Sequence, residues 1–245
     1  MVFPKSKIRS SDLFKFVLIC LLTALVGCER DTGDDEYQKA YQLYKDKEYA
    51  SAIPVFEKAL AKNPNDPNYR LRYGNALEDD DQIERAIKQY EKAIEISPTH
   101  VIAIVSLANA YRKVKEPELA VSTMRRAIAL KKREPWMLDN FGNILEEAGY
   151  YQEAYDNYKL AAEYEPYDTE FRTDLANLAV KMNKVDEAIK LFTQLKIEVS
   201  DQYNILHQEE QATVDQAEKN KLQLEKVPYR KSYDYYTEML EKLKK

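Results

Sequence analysis

Small side chains recur in this chain every 34 residues, and no other feature constrains its fold as tightly. Ala52, Ala86, Ala120, Ala154 and Ala188 form one series, and Ala59, Ala93, Ala127 and Ala161 form a second that ends in Leu195. Between them runs a series of large side chains, Phe56, Tyr90, Met124, Tyr158 and Phe192. Each unit opens on another small residue: Ala40, Gly74, Ala108, Gly142 and Ala176. Self-similarity at a fixed period of this length marks a stack of supersecondary units that bury their apolar faces only against one another. The period covers roughly residues 33–200.

Inside each unit the apolar spacing is helical. Ile83, Ala86, Ile87, Tyr90, Ala93 and Ile94 lie on one face of a helix. Pro67, Pro117 and Pro135 fall near predicted helix starts, where a missing N–H costs little. Pro64, Pro98 and Pro166 close three units, and Lys132 breaks that series. Pro54 sits about a turn inside a predicted helix and is expected to kink it or shift its start. With 5 Gly and 9 Pro in 245 residues, a turn-dense all-β fold is disfavoured.

These series resemble the tetratricopeptide repeat, a unit of two antiparallel helices with small residues at their crossing and an aromatic knob between them. The resemblance implies an all-α fold, a right-handed α-solenoid of about five helix pairs over residues 36–200 with a concave groove. After Ser200 the pattern lapses, because Glu210 falls where a sixth unit needs its small residue. Residues 201–226 read as a polar capping helix. Pro228 opens an amphipathic helix with Tyr229, Tyr233, Tyr236, Met239, Leu240 and Leu243 on one face.

The first 28 residues read as an address. Lys5, Lys7, Arg9 and Lys15 precede an uncharged run from Phe16 to Cys28. As a helix this run reaches only about 20 Å at ~1.5 Å per residue, short of the ~30 Å hydrocarbon core of a bilayer. A basic segment, a short apolar segment and small residues before a cut form the pattern of an export signal. Leu25-Val26-Gly27-Cys28 resembles a bacterial lipobox. By that resemblance residues 1–27 are a signal peptide, Cys28 carries diacylglycerol, and residues 28–35 form a short tether. Stable anchoring takes two or more acyl chains. Glu29 follows the cysteine where an inner-membrane retention signal would place Asp, so the expected location is the outer membrane of a bacterial envelope, facing the periplasm.

The net charge of −5 disfavours a nucleic-acid binder. Once residues 1–27 are removed the remainder carries −8, which gains nothing from anionic headgroups. Cys20 leaves with the signal and Cys28 carries lipid, so neither is left for a disulfide. No glycine-rich phosphate loop, zinc motif or catalytic triad is legible, and neither an enzyme nor a cofactor is expected. An enzyme would need a pocket of convergent titratable groups, for instance at Glu146 and Asp174. His100 reads as a solvated turn residue, and Glu78-Asp79-Asp80-Asp81 as a solvated turn between helices.

The candidate site is the groove. Asn75, Asn109, Asn143 and Asn177 recur at the family's groove-facing position, one residue after the small one. An amide both donates and accepts, so an Asn ladder can hold the backbone of an extended peptide. Asn is also common there for structural reasons. Arg72, Arg112, Trp136 and Asn140 are the expected neighbours, with Leu71, Val105 and Asp139 on the floor. Those three stand where a carboxylate clamp would want Lys, which disfavours recognition of a C-terminal carboxylate. Tyr37, Tyr41 and Tyr44 form a stripe that either covers the first face or meets a partner. The expected role is a lipid-anchored, non-enzymatic scaffold binding a protein or an extended peptide, as in pilus or secretion assembly or in presenting cell-wall hydrolases. The alternative is a small-ligand carrier that serves a transporter.

Overall fold

The computed structural model describes residues 33–131 and 134–244. The signal, Cys28, most of the tether and Lys132 lie outside the described residues. The described chain is helical, in the order α1 (Asp34–Lys45), α2 (Tyr49–Lys62), α3 (Pro67–Asp79), α4 (Ile83–Ile96), α5 (Val101–Lys113), α6 (Pro117–Leu130), α7 (Pro135–Glu147), α8 (Tyr151–Tyr164), α9 (Thr169–Lys181), α10 (Val185–Ala212) and α11 (Gln216–Leu243). No helix among the described residues is long and apolar enough to cross a membrane.

Consecutive helices pack as hairpins, giving five units from α1/α2 to α9/α10 in an α-solenoid. The first helices of neighbouring units touch, α1 with α3, α3 with α5 and α5 with α7, whereas the second helices do not approach one another comparably. The stack therefore bends with the first helices on its inner curve. All members of the recurring Ala series, Leu195 and the five large knobs are buried.

The units use two matched ways of filling the crossing. Where the knob is Phe or Met the facing residue is Ala, and where it is Tyr the facing residue is Gly. A Cβ built on Gly74 would stand 2.8 Å from Tyr90 Cδ1, and one built on Gly142 would stand 2.6 Å from Tyr158 Cδ1. Tyr90 Oη donates toward Asn75 Oδ1 (3.0 Å) and Glu78 Oε2 (2.6 Å), and Tyr158 Oη donates to Glu146 (3.3 Å). These bonds hold the ring across the glycine.

The turn inside each unit also repeats. Lys47, Asp81, Lys115, Gly149 and Asn183, 34 residues apart, all take the left-handed conformation just past the first helix. The amide after each closes back over five residues onto that helix, as Gln82 N–H does to Leu77 O (2.8 Å) and Lys184 N–H to Ala179 O (2.8 Å). Asp80 and Asp81 thus belong to a helix-terminating turn. Pro67, Pro117 and Pro135 each open a helix as expected. Pro54 departs from expectation, since α2 begins at Tyr49 and continues through it. His100 also differs: its Nδ1 caps α5 by accepting from Ala103 N–H (3.3 Å), while Nε2 lies 3.2 Å from Asn68 Oδ1.

The C-terminal region differs in its joints. α10 runs without a break past residue 200 to Ala212, and α11 runs from Gln216 through Pro228, so the segment expected as one polar helix over 201–226 is broken between the two, and its second part shares a helix with the amphipathic segment. α10 and α11 form a long antiparallel hairpin. The second half of α11 folds back and seals the fifth unit. Tyr236 and Leu240 are buried, both Tyr235 and Tyr236 meet Phe192, and Tyr236 Oη lies 2.8 Å from Thr173 Oγ1. The far half is pinned by an ion pair between buried Lys226 and Glu210, with Gln223 donating to Glu210 (2.7 Å). Such a pair contributes more to register than to net stability.

Candidate functional site

The inner curve presents the first helix of each unit, and its two ends are already closed. At the start, Tyr37 stacks on Tyr69 with centroids 4.1 Å apart and planes within 4°, and Tyr41 stacks between Tyr37 and Tyr44. Arg72 lies over the Tyr41 ring at 5.2 Å. The tyrosine stripe is half-buried cover for the first unit. Burial, then a bond to Asp79, pushes the Tyr44 hydroxyl well above its usual pKa. At the other end Tyr235 Oη donates to Asn177 Oδ1 (2.5 Å).

The asparagine ladder is therefore not uniform. Asn75 and Asn177 spend their oxygens on the chain's own tyrosines. Asn143 turns its Nδ2 back on its own helix, to Asp139 O and Asp139 Oδ2, both at 3.2 Å. Asn109 Oδ1 is buried with no hydrogen-bond partner. Asn75 and Asn177 thus bring no free acceptor to the row expected to face a peptide, because the phenols of Tyr90 and Tyr235 occupy them. Asn75, Asn109 and Asn143 remain half-buried on the inner curve.

Charges at the far ends of the first helices are mutually paired. Glu78 meets Lys113 (2.7 Å), Arg112 meets Glu147 (3.5 Å) and Glu146 meets Lys181 (3.3 Å), each pair 35 residues apart. This ladder ties α3, α5, α7 and α9 together, though each half-exposed pair contributes only about 0–1 kcal/mol. Arg72 and Arg112, expected as partner contacts, are engaged in this way with Tyr41 and Glu147. Asn140 is half-buried, and Trp136 is 42% exposed near the start of α7, beside a cavity of about 490 Å³ that also takes in Ile102 and Lys131.

The floor carries the feature that sequence spacing did not reveal. Leu71 and Val105 are buried there, and the equivalent side chain in the fourth unit is Asp139. Burial, then the charges of Asp174, Glu170 and Asp168, raises the Asp139 carboxyl to about 7. Burial, then Glu170 and Glu146, raises Asp174 to about 6. Two raised carboxyls could serve acid–base chemistry, and crowding of acids on adjacent helices produces the same shifts without catalysis. Among the described residues no group of His, Cys, Asp and Glu converges closely enough to hold a metal ion.

A solenoid of helix hairpins with its first helices lining a groove defines a repeat scaffold that meets other molecules along its inner curve. Sequence patterns described as tetratricopeptide repeat match residues 37–101, 103–135 and 145–208, together about two thirds of the chain. The chain belongs to the tetratricopeptide repeat family. Among curated proteins, the type IV pilus assembly protein PilF of Pseudomonas aeruginosa is 32% identical over 111 residues, 44% of each chain. The match thus spans less than half of that relative. Among solved structures, MamA from Desulfovibrio magneticus RS-1 superposes with a TM-score of 0.63 at 16% identity, over 67% of this chain and 93% of that one. YrrB, titled a TPR protein with an unusual peptide-binding site, gives 0.58 at 18% identity, over 71% of this chain and 89% of that one. These two structures share the fold. The repeat family supports a scaffold for protein–protein interaction.

Proposed function

We propose that this protein is a bacterial envelope lipoprotein that holds a partner polypeptide along the inner curve of its solenoid. Cys28 carries the lipid, the short polar tether keeps the solenoid close to the membrane, and the outer membrane facing the periplasm is the expected site. The partner lies as an extended segment across the third and fourth units, where Asn109 and Asn143 face it. The observation that carries this reading is Asn109, a groove amide whose acceptor oxygen is buried and unpaired by the chain itself. A buried acceptor left unmatched costs about 1–3 kcal/mol, which a bound backbone N–H would recover.

The likeness to a pilus assembly protein supports a place in assembling an envelope machine. In this reading the scaffold is non-enzymatic, and the −8 charge expected of the mature chain keeps nucleic acid out of the groove. The test combines Asn109→Ala and Asn143→Ala in the full chain and captures partners from envelope extract. Weakened capture at an unchanged or higher melting temperature is the expected result, and unchanged capture removes the groove from the function. Cys28→Ser tests the anchor separately: the protein should leave the membrane fraction, and retention there would refute lipidation at this residue.

A further inference from the structure

The fourth and fifth units bring together more acids than cations. Asp139 and Glu146 project from α7, and Asp168, Glu170 and Asp174 sit on or beside α9. One cation reaches the group, Lys181 at Glu146, and the others nearby pair outside it, Arg112 with Glu147 and Arg172 with Glu198 through two nitrogens. Among the described residues no ion pair reaches Asp139 or Asp174. From α5 the nearby charged group is the paired Arg112, from α8 the Tyr158 hydroxyl donates to Glu146, and from α11 Tyr235, bonded to Asn177, lies within electrostatic reach of Asp174.

Two independent observations point to what is missing. Asp139 Oδ1 and Asn109 Oδ1 are both buried with no hydrogen-bond partner. The amide oxygen is an acceptor, and so is the carboxylate oxygen once Asp139 is ionised, so a donor is the group that would satisfy both. Trp136 lies one helical turn before Asp139 on α7, exposed and outside every aromatic pair seen among the described residues. An exposed indole one helical turn from a carboxyl with one oxygen unpartnered and the other held by Asn143 suits a long cationic side chain, whose stem lies on the ring while its head reaches the acid.

Resting on the reading that the inner curve binds a polypeptide, we propose that units four and five take a Lys or Arg side chain of the partner, between Trp136, Asp139, Glu170 and Asp174. The partner segment is then basic where it crosses the end of the groove that α11 closes. A cation there needs Asp139 ionised, so capture releases protons and weakens as the solution becomes more acidic. That direction follows from Asp139 being held at about 7 by burial and its acidic neighbours.

The test uses the full chain in detergent micelles and two labelled Ser/Ala decapeptides, one with a central Arg pair and one with Gln in those places, read by fluorescence anisotropy. The Arg peptide should bind about tenfold tighter at about pH 8, and the gap should narrow at about pH 5.5. Asp139→Asn combined with Asp174→Asn should abolish the preference while leaving the unfolding midpoint unchanged or higher, because the crowding is relieved. Equal binding of the two peptides overturns the proposal. So does a preference that survives both substitutions, and so does a gain in stability with no change in preference. The groove reading stands or falls separately, on capture by Asn109→Ala alone, which leaves the Asn143 bond to Asp139 in place.

Discussion

Replacing Gly74 by Ala puts a methyl group where the Tyr90 ring already stands. On an exposed helix the same change would add about 1 kcal/mol of helix propensity. Here the added carbon would lie 2.8 Å from Tyr90 Cδ1 and 3.1 Å from Cζ, with Cε1 nearer still. Carbon atoms settle at about 3.5–4.0 Å, so the ring must retreat by roughly 1 Å. It has nowhere to go, because it is fully buried and its hydroxyl is tied to Asn75 and Glu78. Overpacking of this kind costs about 1–3 kcal/mol, which against the propensity gain leaves a net loss of up to about 2 kcal/mol. Urea unfolding reads this as a lower midpoint at constant slope. The decisive comparison is Gly74→Ala in a Tyr90→Met background, which recreates the Ala108–Met124 pair of the third unit. There the methyl should be tolerated, giving a coupling of at least about 1 kcal/mol in the double-mutant cycle. A stabilising Gly74→Ala, or one that costs the same in both backgrounds, would refute the matched-crossing argument.

Lys115→Gly should raise stability by about 0.5–1 kcal/mol in urea, since Lys115 holds φ of 60° without a glycine's freedom, while Gly149→Ala at φ 84° should lower it by a similar amount or more. The folded chain holds a proton on Asp139 up to about 7 that the unfolded chain releases near the ordinary aspartate value of 3.8. Stability linked to this group is present at acidic pH and is lost as pH rises through that window, so urea midpoints measured across it should fall with pH, and Asp139→Asn should flatten the slope. Tyr236→Ala removes a buried ring and the bond to Thr173, and should cost about 3 kcal/mol. Hydrogen exchange should then quicken in α9 and the end of α11, and unchanged protection there would show that the tail does not seal the fifth unit.

What the sequence determined by itself was the repeating part. Each helix pair touches only its neighbours, so small and large residues at a fixed spacing define the crossing, the partner helix and the number of pairs. The groove-facing asparagines were legible for the same reason. Tertiary structure alone decided which of them stay available, because that depends on hydroxyls arriving from other helices: Tyr90 on Asn75, and Tyr235 on Asn177 from 58 residues away. It also decided that glycine serves the tyrosine crossings, that four non-glycine residues bear a left-handed turn, and that Tyr229–Leu243 folds back. The raised pKa of Asp139 belongs here as well. Its spacing reads as one more floor position, and only burial beside acids from α9 makes its charge costly to keep.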